Sequence, residues 1–172
     1  MSRKTSLILG LLFSLGLQID ILAEAPTPGE RMVTDFHHRL LTVPVEWSSP
    51  ERGTFELYYE INSDFKPAVP TIFICNDGQQ PFFAAGRADR IKTKWVIAEI
   101  NIAVMEHRGM PASFIKSVYN ERGEVDWEKA YTAFSSANVI RDIDAVRQDL
   151  LGQEGHIWLE GESGGGILAL QY

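Results

Sequence analysis

Cysteine is nearly absent: the 172-residue chain has one, Cys75. A single thiol excludes an internal disulfide and any thiolate-rich metal site. Its place in the apolar run TIFIC marks it as a buried small hydrophobe. Positive charge is scarce and scattered. The 16 lysines and arginines face 23 carboxylates, the net charge is -7, and the basic residues form no cluster or stripe. Nucleic-acid binding, which needs a positive footprint, is therefore not expected. The four histidines show no H-E-x-x-H spacing. No glycine-rich run carries the lysine of a G-x-x-x-x-G-K-[ST] phosphate loop. Neither a metal nor an organic cofactor is implied. Repeats are lacking, and the Gly164–Gly166 triplet is the only low-complexity stretch.

No apolar run reaches the ~20 residues that a membrane-spanning helix needs. The longest at the start is Leu7–Leu17, after the short positive segment MSRKTS and before Ala23-Glu24-Ala25. A basic start, a short apolar stretch and a small-residue A-x-A site are the order of a secretory signal peptide. Residues 1–25 are read as that signal, with cleavage after Ala25; a signal anchor or a mis-set start codon is the alternative. The mature part, 26–172, is then expected to be secreted or periplasmic, with no stable membrane span. Apolar residues at 45% and charged residues at 23% are ordinary for a globular domain.

The patterning of the mature part points to an α/β domain. The HHRLLTVPV run within Met32–Val45 and the β-branched, aromatic stretch Thr54–Ile61 flank the turn formers SSPERG, which predicts an antiparallel hairpin. Val69–Cys75 is almost wholly apolar, as in a strand covered on both faces of a parallel sheet. Phe82–Arg90 reads as a short helix and INIAVM, within Trp95–Met105, as a second interior strand. Met110–Val125 reads as an irregular excursion. Trp127–Leu151 reads as mostly helical. Val139, Ile143, Val146 and Leu150 give one apolar face, and Arg141, Asp142, Asp144, Arg147 and Asp149 fall largely on the others. Asn138 is placed as the cap of this face's helix and Gly152 as its stop. His156–Leu159 is a strand, and Gly161–Tyr172 runs into another helix. Strand, helix, strand, turn, helix is a βαβ order.

The sharpest motif is Gly161-Glu162-Ser163-Gly164-Gly165, a G-x-S-x-G run between a strand and a helix. A serine at such a turn sits in a strained conformation with its hydroxyl at the apex, and the helix N-terminus aims N–H groups at the same point. Ser163 is the candidate nucleophile and the Gly164 N–H a candidate oxyanion donor. The bland alternative is a glycine-rich turn with a capping serine. Asn76-Asp77-Gly78-Gln79-Gln80-Pro81 follows the first interior strand, where a second donor belongs. Gly78 is the candidate, and an ordinary turn is the alternative.

These segments resemble a known family. VPVEW followed by GTFELYY, the NDGQQP loop, EHRG after a strand, the helix SSANVIRDIDAVRQDLLG and WLEGESGGGILALQY are similar to the α/β-hydrolase serine peptidases related to proline iminopeptidase and tripeptidyl aminopeptidase. The likeness spans most of residues 40–172, and EHR is also similar to the lysosomal prolyl carboxypeptidase group. The resemblance implies the N-terminal part of an α/β-hydrolase fold, an antiparallel hairpin leading into a mostly parallel sheet. It places the nucleophile on Ser163 and the oxyanion donors on Gly164 and Gly78. It also implies exopeptidase activity on peptides. The chain departs from the family at Asn76-Asp77, where a histidine-glycine pair is usual, at Glu106-His107-Arg108-Gly109 in place of D-Q-R-G, and at Gly164 in place of a tyrosine. The family's acid and histidine follow the elbow, so the expectation is a fragment of a longer enzyme, truncated after the elbow. His107, and less so His37, His38 and His156, are the histidines available upstream. An esterase or lipase acting on small esters, and a non-catalytic binding protein, remain the competing readings.

Overall fold

The computed structural model describes residues 37–76, 86–95, 99–108 and 116–172. The signal segment 1–25, Asp77, Gly78 and the first part of the Phe82–Arg90 stretch lie outside the described residues. Strand β1 (His38–Pro44) and strand β2 (Thr54–Ile61) pair antiparallel from His38 opposite Glu60 to Pro44 opposite Thr54. Their connection carries a short 3-10 turn at Pro50–Arg52 and leaves it at Gly53, whose φ of 111° suits glycine. This is the expected hairpin.

Strand β3 (Thr71–Cys75) and strand β4 (Asn101–Met105) are buried at every position, so both read as apolar runs rather than alternating ones. Helix α1 (Arg87–Lys94) connects them. Of the expected helix Phe82–Arg90, the described part is helical from Arg87, and the helix runs past Arg90 to Lys94. Helix α2 (Trp127–Ala133) and helix α3 (Ser136–Leu151) lead to strand β5 (Ile157–Gly161), and helix α4 (Gly164–Gln171) follows at once. The stretch read as mostly helical over Trp127–Leu151 is thus two helices, broken at Phe134-Ser135. Ser135, not Asn138, takes the N-cap position of α3. Asn138 instead lies inside the helix and works as a clamp. Its amide donates to the carbonyls of Thr132 and Ala133, and its oxygen accepts from the Trp47 N–H at 2.9 Å. Gly152 ends α3 as expected, at φ 76°.

The five strands form one sheet in the order β1-β2-β4-β3-β5. β2 and β4 are antiparallel, whereas β4–β3 and β3–β5 are parallel. An antiparallel hairpin therefore feeds a parallel region. One face, with Phe55, Leu57, Tyr59, Phe73, Ala103 and Met105, packs against Val139, Ile143 and Val146 of α3 and Leu168 of α4. The other face, with Tyr58, Ile72, Ile74, Ile102 and Val104, packs against Ala88 and Ile91 of α1. α1 leaves β3 on one face and α4 leaves β5 on the other. The carboxyl ends of β3 and β5 therefore flank a switch point, where open α/β sheets bind their ligands.

Candidate active site

The turn from β5 into α4 is tight. Ser163 has φ 54° and ψ -123°, the only non-glycine positive φ among the described residues. A side chain held there costs about 1–3 kcal/mol, which surrounding structure must offset. The flanking glycines show how closely that structure closes in. A Cβ built on Gly165 would lie 2.0 Å from the Cys75 carbonyl oxygen at the end of β3. A Cβ on Gly161 would lie 2.4 Å from the Gly165 carbonyl. The spacing of glycines two before and two after Ser163 is thus a packing requirement between β3, β5 and α4.

Ser163 is exposed at the apex. The first turn of α4 closes through the Gly165 N–H to the Glu162 carbonyl at 2.9 Å and the Gly166 N–H to the Ser163 carbonyl at 3.1 Å. Among the described residues the Gly164 N–H donates to no backbone acceptor, as expected of a first-turn amide at a helix N-terminus. It stands next to the Ser163 hydroxyl with the positive end of the helix behind it. Gly78 lies outside the described residues, so only one of the two expected oxyanion donors is placed here.

Ser163 opens onto a cleft of about 350 Å³. Among the described residues, Ile74, Cys75 and Asn76 from the end of β3, Arg87, Ile91 and Lys94 from α1, Trp95, and Glu160 and Glu162 also line it. Cys75 is buried, as its apolar run implied, and burial pushes its thiol up to about 12. It is therefore a neutral wall group. Asn76 donates its amide to the Met105 carbonyl at 2.8 Å and ties β3 to β4 just where both strands end.

None of the described histidines lines this cleft. His156 immediately precedes β5 and borders a separate hollow with Pro67–Thr71, at the opposite end of the strands. His38 meets the Tyr58 hydroxyl at 2.5 Å on β2. His107 is buried, with its ring 4.5 Å from that of Phe134. Among the described residues no group of histidines, cysteines and carboxylates has the make-up of a metal site, and no helix is long and apolar enough to cross a membrane.

Four buried charged groups, Asp142, Arg108, Glu60 and Glu106, escaped the sequence reading. Asp142, grouped there with the residues largely off the apolar face of its helix, is fully buried. Its carboxylate takes Nε and Nη2 of the equally buried Arg108 at 2.7 and 2.8 Å, and the Trp47 indole N–H at 2.8 Å. Arg108 also donates to the carbonyls of Val45 and Ala133. The pair thereby ties the segment after β4 to the hairpin and to α2–α3. The signal was present: Asp142 sits three after Val139 and next to Ile143, on the apolar stripe itself. Glu60 of β2 is 1% exposed and caps α1 from outside, accepting the N–H groups of Gly86 at 3.1 Å and Ala88 at 2.7 Å. Desolvation raises its carboxyl above the usual range, and these two bonds pull against that rise. Glu106, directly after β4, is 3% exposed, and among the described residues its Oε1 has no hydrogen-bond partner. Burial alone raises its carboxyl to about 7. Its position after an unbroken apolar strand was the only sequence cue.

β5 forms one edge of the described sheet, with Trp158 on it 65% exposed. On the helix that follows, Ile167 and Leu170 are exposed as well. No protein-family model matches the chain, and no curated protein is significantly similar to it.

Proposed function

We propose that Ser163 is the nucleophile of a secreted serine hydrolase of the α/β-hydrolase type, acting on peptide bonds as an exopeptidase, and that residues 26–172 are its nucleophile-bearing part. One observation carries this reading. Ser163 alone among the described non-glycine residues is held at positive φ, at the apex of a strand-to-helix turn on the carboxyl edge of parallel strands, inside glycines that no side chain can replace. Proteins retain such strain where it positions a reacting group. The strand order, with its switch point between β3 and β5, supports the same fold type.

The chemistry follows from that placement. The Ser163 hydroxyl adds to the substrate carbonyl as a base takes its proton. The oxyanion that forms is held by the Gly164 N–H and, in this proposal, by that of Gly78. Collapse breaks the C–N bond, the amine leaves with the proton, and water then cleaves the acyl-serine to release the acid. A serine hydroxyl is a weak nucleophile without a base. In this reading the histidine and its acid come from a part of the enzyme outside the residues that line the cleft. The open edge of β5, with exposed Trp158, Ile167 and Leu170 beside it, fits further strands and helices joining there.

An esterase uses the same elbow, and the resemblance in sequence is what favours the peptide bond. A non-catalytic binding role is favoured by one fact: none of the described histidines is in the cleft. The test is covalent labelling of the complete enzyme, including the part that supplies the base, with a fluorophosphonate, using Ser163→Ala as control, followed by turnover of aminoacyl anilides against p-nitrophenyl esters. Labelling at Ser163 with anilide turnover is expected. Folded protein that stays unlabelled sinks the hydrolase reading, and ester turnover without anilide turnover makes it an esterase.

A further inference from the structure

The cleft beside Ser163 has two walls of opposite charge. Arg87, Ile91 and Lys94, spaced by four and three, form one face of α1 and bring two cations to one side. Glu160 and Glu162 bring two carboxylates from the β5 side, on either side of Gly161 and next to Ser163. The walls are close enough to act on each other: Glu160 favours the charged form of Arg87, whose guanidinium is otherwise pushed down chiefly by burial and by Arg90. Among the described residues, the apolar lining is Ile74, Ile91, Trp95 and the neutral Cys75. At about 350 Å³ the cleft lies at the small end of the roughly 300–1,000 Å³ that ligand pockets span.

A field that runs from cations to carboxylates across a small cleft aligns a ligand that is itself a dipole of charges. It disfavours an acyl chain, which would strip water from four charged side chains and return nothing to them. We infer that the cleft takes a short peptide with both termini free, its carboxylate on the Arg87–Lys94 wall and its ammonium against Glu160 and Glu162, with the intervening carbonyl beside Ser163. The inference deepens the hydrolase reading and rests on it. It makes α1 the specificity-determining element and a dipeptide the smallest full-length fit.

The test separates the two ideas. Full-chain Ser163→Ala protein, which cannot turn substrate over, is titrated calorimetrically with Ala-Ala, N-acetyl-Ala-Ala and Ala-Ala amide at low salt. Free Ala-Ala is expected to bind at least tenfold more tightly than either blocked form. Adding Lys94→Gln, or Arg87→Gln, shrinks its advantage over the amide. Adding Glu162→Gln shrinks its advantage over the acetylated form. Equal binding of all three peptides, or binding of none by Ser163→Ala protein whose circular dichroism matches that of the unsubstituted protein, overturns the inference. Fluorophosphonate labelling of the unsubstituted protein is scored independently. Labelled protein indifferent to peptide termini keeps the hydrolase reading and loses this one. Unlabelled protein that still prefers free termini loses the hydrolase and keeps a zwitterion-binding cleft.

Discussion

Replacing Glu106 with glutamine should make the protein more stable, and by an amount that depends on pH in a defined direction. Glu106 is buried just after β4 and, among the described residues, its Oε1 has no hydrogen-bond partner to offset the loss of water around its charge. Burial lifts its carboxyl from the ordinary 4.5 to about 7. Between those values the folded state holds a proton that the unfolded state has released. Stability from this group is therefore fully present below pH 4.5 and falls as pH rises, until the folded carboxyl has ionised above pH 7. At about 1.36 kcal/mol per pH unit, that gap is worth about 3 kcal/mol. Glutamine has the same shape and never ionises. Urea unfolding followed by tryptophan fluorescence, at intervals from pH 4 to pH 8.5, gives the stability difference between Glu106→Gln and the unsubstituted protein. The difference should be close to zero near pH 4 and grow to about 3 kcal/mol in favour of the variant by pH 8. A difference that stays flat across pH 4.5–7.5 refutes the argument, because it means the carboxylate is solvated or paired after all. A variant that loses stability as pH rises refutes its sign.

The buried Arg108–Asp142 pair makes a second prediction. Arg108→Met leaves Asp142 charged and alone and should cost about 3–5 kcal/mol, whereas Arg108→Met with Asp142→Leu should recover most of that loss. Both are read by the same urea unfolding. At the elbow, Ser163→Gly should raise stability by about 1 kcal/mol by releasing the positive-φ strain, while abolishing fluorophosphonate labelling. Gly165→Ala should lower stability by at least about 2 kcal/mol, since its Cβ would sit 2.0 Å from the Cys75 carbonyl oxygen and backbone must move. Glu60→Ala removes the acceptor from the N-terminus of α1 and should cost about 1–2 kcal/mol, with faster hydrogen exchange at the Ala88 amide as its local signature.

Much of the fold was written in periodicity. The β-branched, aromatic stretch Thr54–Ile61 became β2 residue for residue, TIFIC became β3, and the apolar stripe of Val139, Ile143 and Val146 faces the core. These signals are local because a strand or helix must show its apolar side at a fixed spacing wherever it is placed. The elbow was legible for the same reason. Its glycines answer a steric demand that sequence spacing records, and the structure supplied the contact behind it, the Cys75 carbonyl lying against Gly165.

What the sequence left open was everything decided by partners distant in the chain. Asn138 has the chemistry of a cap, yet Trp47, far away on the hairpin connection, holds its oxygen inside the helix. Asp142 looked like a surface charge until Arg108 reached it across 34 residues. Nor does any spacing say that β4 slips between β2 and β3, which is what creates the switch point beside Ser163, or that α1 and β5 face each other with opposite charges. The sequence determined which segments are strands and helices and where the serine sits at a turn, because those follow from short-range sterics and from burial along a single element. Strand order, the fate of each buried charge and the polarity of the cleft were settled only in three dimensions, since each depends on groups that only folding brings within a few ångströms.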